Sequence, residues 1–213
     1  MRVWRLAGLR ELGLKHTGNT VLPPGRRACR QLSWLEVGSN VAAPVVGSLK
    51  SLRFLSISTR SKEQQHWTQL TALTELCLNI LQRRPIPAGL GGMTGHLSLK
   101  INDGEHALPP GPYLSRLGRL SLAGYSFPGG LTAVLAAAKQ LRYLSFKSSS
   151  FYQSSSDVAM LSCLPALETL RNVGCRKGDS AGQLMWDEGL AELRARCAAQ
   201  GREPPVILED ACN

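Results

Sequence analysis

The sequence predicts an α/β solenoid, a horseshoe with a parallel β ladder on its concave face and short helices, turns and irregular returns on its convex face. Three observations carry that expectation. A Leu-x-x-Leu-x-Leu string, with conservative aliphatic swaps, recurs along the chain. Its copies come at nearly even intervals. The stretches between copies mix Pro and Gly breaks with short apolar pieces, which suits a chain that turns back to start another strand.

The copies are LRELGL (9–14), LSWLEV (32–37), LRFLSI (52–57), LTELCL (73–78), TGHLSL (94–99), LGRLSL (117–122), LRYLSF (141–146) and LETLRN (167–172). Taking the middle apolar positions as Leu12, Leu35, Leu55, Leu76, Leu97, Leu120, Leu144 and Leu170, the separations run from 20 (35 to 55) to 26 (144 to 170). In a strand, alternate residues point to opposite faces, so the last two aliphatics of each copy face inward together. One such strand cannot bury its apolar side alone. Eight stacked at about 4.8 Å form a ladder roughly 35 Å long with a continuous aliphatic core.

The returns include LPPG (22–25), IPAGLGG (86–92) and a second LPPG (108–111), together with apolar pieces such as VVGSLKSL, WTQLTAL and LSCLPAL that are expected to pack inward. The Ala-rich segment 130–141 is expected to be helical. Solenoid ends are apolar and need covering. Residues 1–8, with Val3, Trp4 and Leu6, read as a partial N-terminal cap, and 9–185 as an array of about eight repeats. Residues 186–213 read as a capping helix and a final strand. Leu190, Leu193 and Cys197 stand there at helical spacing, Asp187 and Glu188 suit a first turn, and VILED follows Pro204-Pro205.

On these strings the chain resembles the leucine-rich-repeat family over about residues 9 to 175, and its separations lie within the family's range of about 20–29 residues. The resemblance implies a scaffold, adaptor or recognition subunit. The family places Asn or Cys three residues after the third leucine position. Here Asn40, Asn102 and Cys175 conform, while Thr17, Arg60, Leu81, Tyr125 and Ser149 do not, so the ladder is irregular.

Composition narrows the classes. Aromatic residues make up 6% of the 213, so packing must come from many similar aliphatic contacts. No apolar run reaches the length of about 18 residues that spans a bilayer. Arg5, Arg10 and Glu11 interrupt the N-terminal segment, which therefore lacks a signal-peptide core. The expectation is an intracellular, cytoplasmic protein without membrane insertion, with free thiols at Cys29, Cys77, Cys163, Cys175, Cys197 and Cys212. Arg, Ala and Gly usage has the flavour of a GC-rich genome, and the chain's resemblance in general look to algal proteins implies a cytoskeletal or ciliary association. There is no CxxC pair, and His16, His66, His96 and His106 are not at ligand spacing, so no metal site or cofactor is expected. The charge of +10 is scattered along the chain rather than gathered in one run.

The repeat assigns three outward columns. Before the middle leucine stand Glu11, Trp34, Phe54, Glu75, His96, Arg119, Tyr143 and Thr169. Between the aliphatics stand Gly13, Glu36, Ser56, Cys77, Ser98, Ser121, Ser145 and Arg171, and after them Lys15, Gly38, Ser58, Asn79, Lys100, Ala123, Lys147 and Val173. Aromatic and Arg side chains are common interface anchors. The expected contact residues on the concave face are therefore Trp34, Phe54, Arg119, Tyr143 and His96, over a floor of Ser56, Ser98, Ser121 and Ser145. Lys100 and Lys147 make the second half basic. The plainer alternative is that Trp34 and Phe54 cover each other as a cross-strand pair, and that His96 is a passive surface residue.

Nothing in the chain suggests catalysis. GxxxxGK[ST], GxSxG and HExxH strings are absent, and the glycine-rich PAGLGGMTG lies in a return. The expectation is a non-enzymatic module that binds a protein partner, with no small-molecule substrate. The alternative is a salt-sensitive binder of nucleic acid or acidic protein surfaces.

Overall fold

A computed structural model describes residues 8–14, 29–38, 46–59, 69–81, 86–95, 97–102, 108–124, 132–147, 155–173 and 180–210. Within them, nine strands form one sheet in chain order: β1 (Glu11–Leu14), β2 (Trp34–Val37), β3 (Phe54–Thr59), β4 (Glu75–Ile80), β5 (Leu97–Asn102), β6 (Leu117–Ala123), β7 (Tyr143–Lys147), β8 (Thr169–Val173) and β9 (Val206–Asp210). Every neighbouring pair is parallel. The chain is a solenoid.

The middle aliphatics align rung on rung: Leu12, Leu35, Leu55 and Leu76, then Leu99, Leu120, Leu144 and Leu170, and last Ile207. From Leu35 to Leu170 this column is wholly buried. The fifth rung differs from the sequence expectation. Its middle aliphatic is Leu99, not Leu97, because Leu97 aligns with Leu117 and a register shift follows between Leu97 and Ser98. Leu97, Leu99 and Ile101 alternate at period two, so the string alone permits either phase. Packing between Leu76 and Leu120 selects Leu99.

The returns explain the second apolar spacing. Leu32, Leu52, Leu73, Leu141 and Leu167 each donate their N–H to the carbonyl three residues back, at Cys29, Leu49, Leu70, Ala138 and Leu164. Such i→i+3 turns put both ends of an L-x-x-L piece on the inner side. Of VVGSLKSL, WTQLTAL and LSCLPAL, expected to pack inward, Val46, Leu52, Leu70, Leu73, Leu161, Leu164 and Leu167 are buried, while Val45, Trp67 and Thr68 lie outside the described residues. Among the described residues of the Ala-rich segment, the α-helix covers α1 (Thr132–Leu135). Ala137, Ala138 and Leu141 then bond three residues back, since the chain must reach the next strand within a few residues.

Three 3₁₀ segments line the same side: η1 (Ala88–Gly92), η2 (Pro112–Arg116) and η3 (Met160–Cys163). η1 and η2 come so close that a Cβ on Gly111 would lie 2.0 Å from the Gly91 carbonyl oxygen. Tyr113, fully buried in η2, donates its hydroxyl to the Pro109 carbonyl at 2.8 Å and so leaves no buried donor unmet.

At the C-terminal end, α2 (Ser155–Ala159) packs against α3 (Ser180–Ala199). The helix starts six residues before the expected 186, so Asp187 and Glu188 lie past its first turn, which holds no acidic residue. Trp186, Leu190, Leu193 and Cys197 form its buried stripe. Gly201 (φ 67°) ends it: Gly201 N–H bonds Ala198 and Arg202 N–H bonds Cys197, the two bonds of a Schellman motif. Arg202 then donates to the carbonyls of Leu164 (2.8 Å) and Ser162, tying the helix end to the return between β7 and β8.

Two stability outcomes follow. Leu120→Ala removes a side chain buried between two rungs and is expected to cost about 2–5 kcal/mol in denaturant unfolding. Gly189→Ala improves helix propensity by about 1 kcal/mol. A Cβ there would nevertheless stand 2.6 Å from the Val158 Cβ and 2.7 Å from the Ser155 carbonyl oxygen. A lower melting temperature is therefore expected, and an unchanged or higher one would contradict this α2–α3 packing.

Candidate functional site

The face of the ladder opposite the returns carries the outward columns. The column before the middle aliphatics runs Glu11, Trp34, Phe54, Glu75, Ser98, Arg119, Tyr143, Thr169, Val206. The column between them runs Gly13, Glu36, Ser56, Cys77, Lys100, Ser121, Ser145, Arg171, Leu208. Beyond these, Ser58, Asn79, Asn102, Ala123, Lys147, Val173 and Asp210 align.

The corrected phase of β5 moves three sequence-assigned residues. Ser98 takes the column expected for His96, Lys100 takes the column expected for Ser98, and Asn102 takes the place expected for Lys100. His96 precedes the strand and lies outside the described residues, as do Lys15, Asn40 and Cys175. Asn102 therefore is not the family's turn asparagine. It faces Asn79 across the ladder and donates its amide to the Asn79 side-chain oxygen at 2.5 Å.

Trp34 and Phe54 occupy matched positions and stack, with ring centroids 5.1 Å apart and planes 8° from parallel. A Cβ on Gly13 would stand in ordinary van der Waals contact with the Trp34 indole, at 3.4 Å. The cross-strand pair weighed from the sequence is therefore present. A second pair lies further along: the Arg119 guanidinium carbon sits 4.4 Å from the Tyr143 ring centroid. On the next rung, Arg171 is held more firmly protonated by its hydrogen bond to the Tyr143 hydroxyl and then by Asp210, to which Nε donates at 2.7 Å. Arg119, Tyr143, Arg171 and Asp210 thus link β6 to β9.

The serine floor is more closed than expected. Ser56 and Ser145 are each 6% exposed, covered by their neighbours, while Ser98 and Ser121 remain half-buried. Over the later rungs the face sinks into an open groove of about 610 Å³, whose lining includes Asn79, Lys100, Asn102, Tyr143, Lys147 and Arg171. At the far end, Val206 and Leu208 are 61% and 43% exposed. The sequence reading placed Arg171 in its column without counting it as a contact residue, and β9 had no column assigned.

Burial pushes the thiols of Cys29, Cys77 and Cys163 up, so they stay protonated and weakly nucleophilic at neutral pH. Among the described residues these and Cys197 are free, and no cluster of His, Cys, Asp and Glu suits a metal ion. No described helix is long and apolar enough to cross a membrane.

No protein-family model matches the chain, and no curated protein matches its sequence. Among solved structures, an internalin from Listeria monocytogenes is similar at 14% identity with a TM-score of 0.34, over 86% of this chain and 75% of that one.

The stacked pair offers a direct check. A double-mutant cycle on Trp34→Ala and Phe54→Ala in chemical unfolding is expected to show a coupling of about 0.5–1.5 kcal/mol. Additive effects would mean that the rings do not stack in solution.

Proposed function

We propose that this chain is a non-enzymatic protein-interaction module, a scaffold, adaptor or recognition subunit that binds a partner on the open face of its ladder. The observation that carries the reading is the pre-ordered anchor set on that face. Trp34 stacks on Phe54, and Arg119 lies over Tyr143, each pair mounted on neighbouring rungs of one sheet. Large rigid side chains already held in place lose little freedom when a partner covers them. The Cys77 thiol on that face is raised by burial and is weakly nucleophilic.

Within this reading, the sequence division into a repeat array over 9–185 and a closing cap over 186–213 is kept, with the cap's start moved to the beginning of α3 at Ser180. The buried stripe of α3 and the pairing of β9 with β8 support a cap. A salt-sensitive binder of nucleic acid or acidic protein surfaces is the second reading, drawn from the charge of +10. The open face separates its two forms, since Glu11, Glu36 and Glu75 share that face with the basic residues. A polyanion running its whole length would meet them.

The test is affinity capture from nuclease-treated lysate, comparing the native chain with Trp34→Ala/Phe54→Ala/Tyr143→Ala after circular dichroism shows both folded. The native chain is expected to retain a protein that the variant loses. Capture of the same proteins by both would sink the aromatic-anchor reading.

A further inference from the structure

The open face is divided by charge. Glu11, Glu36 and Glu75 stand on β1, β2 and β4, Lys100, Arg119, Lys147 and Arg171 stand on β5 to β8, and Asp210 on β9 pairs with Arg171. In a ladder, order along the chain becomes order in space, so the division is a physical boundary near the middle of the face. The groove of about 610 Å³ lies on the basic side.

From this placement we infer that the groove over β5–β8 binds an extended, carboxylate-rich segment of a protein partner. The inference rests on the interaction-module reading and names the chemistry of its partner. Lys100, Lys147 and Arg171 line one groove from three different rungs. The Asn79 and Asn102 amides border it and offer directional donors and acceptors beside the charges. From Asn79 on β4 to Arg171 on β8 the groove crosses four strand spacings, about 19 Å. An extended peptide covers that distance in about six residues.

Carboxylates on alternate residues of such a segment face the groove together. Asp210 on β9 already accepts from Arg171 Nε at 2.7 Å, so an incoming carboxylate shares that guanidinium and also meets the ammonium groups of Lys100 and Lys147. A nucleic-acid strand is a poorer fit, because its uniform charge continues past the groove toward Glu75 and Glu36. A peptide can place acidic residues over β5–β8 and neutral or basic ones beyond.

The experiment is fluorescence anisotropy on the full chain with a labelled hexaglutamate peptide, and in parallel a labelled oligothymidylate. Hexaglutamate is expected to bind, and Lys100→Glu/Lys147→Glu to weaken it at least about tenfold, since each reversal replaces an attraction with a repulsion. Lys139→Glu/Arg194→Glu makes the same change in net charge at exposed positions off this face and is expected to leave binding within about twofold. Equal weakening by the two double variants would show bulk charge attraction and overturn the inference. So would absent hexaglutamate binding, or tighter binding of oligothymidylate.

Trp34→Ala/Phe54→Ala leaves the groove intact and is expected to keep hexaglutamate binding. The two readings therefore fail separately. Loss of the groove result with aromatic-dependent lysate capture retained removes only the acidic-segment inference. Groove binding retained with aromatic-independent capture removes the aromatic-anchor reading.

Discussion

Parallel pairing of short strands in one register is the constraint from which the remaining features follow. The carbonyl just before a strand repeatedly receives two N–H groups from the next rung. Arg10 serves Ser33 and Trp34, Ser33 serves Arg53 and Phe54, Arg53 serves Thr74 and Glu75, and Arg142 serves Glu168 and Thr169. Ser33 and Thr74 add their hydroxyls to the same carbonyls of Arg10 and Arg53. A slip of one residue would turn the buried leucines to solvent and the outward columns inward. Burial of the leucines therefore enforces the register, and the register places every outward side chain.

The outward face inherits its order from that arrangement. Neighbouring rungs bring residues twenty or more positions apart into contact, so Trp34 meets Phe54 and Arg119 meets Tyr143. The same stacking gathers Glu11, Glu36 and Glu75 over the early rungs and Lys100, Arg119, Lys147 and Arg171 over β5 to β8, with Asp210 beyond them paired to Arg171. The ladder supplies rigidity, and the column residues supply chemistry. Recognition on such a face is set by which columns are charged, aromatic or small, independently of the core that holds them.

The C-terminal end shows how the aliphatic pattern is brought to a close. The third inward position runs Leu122, Phe146, Asn172, Glu209. At the end of this column Asn172 is buried and Glu209 is exposed. Trp186, buried in that helix, donates its indole N–H to Glu209 at 2.9 Å, so the carboxylate is met by a donor at the rim of the core. Exposed Val206 and Leu208 leave the opposite face of β9 apolar.

Periodicity by itself determined that this chain is a ladder of parallel strands, which leucines face inward, and that Trp34, Phe54, Arg119 and Tyr143 stand on one outward column. Those facts depend on alternation and spacing, which are properties of the string. The phase of the fifth rung was not in the string, because Leu97, Leu99 and Ile101 satisfy the alternation in two ways until Leu76 and Leu120 flank them. The extent of α1 and the early start of α3 likewise depend on how far the chain must travel to its neighbours, beyond what local propensity expresses. Side-chain partnerships were equally hidden: the ring stack, the Arg171–Asp210 pair and the closing of Ser56 and Ser145 arise between residues of different rungs. Local sequence decides which way a side chain points. What it meets there depends on strands brought alongside from elsewhere in the chain, and only the folded ladder decides that.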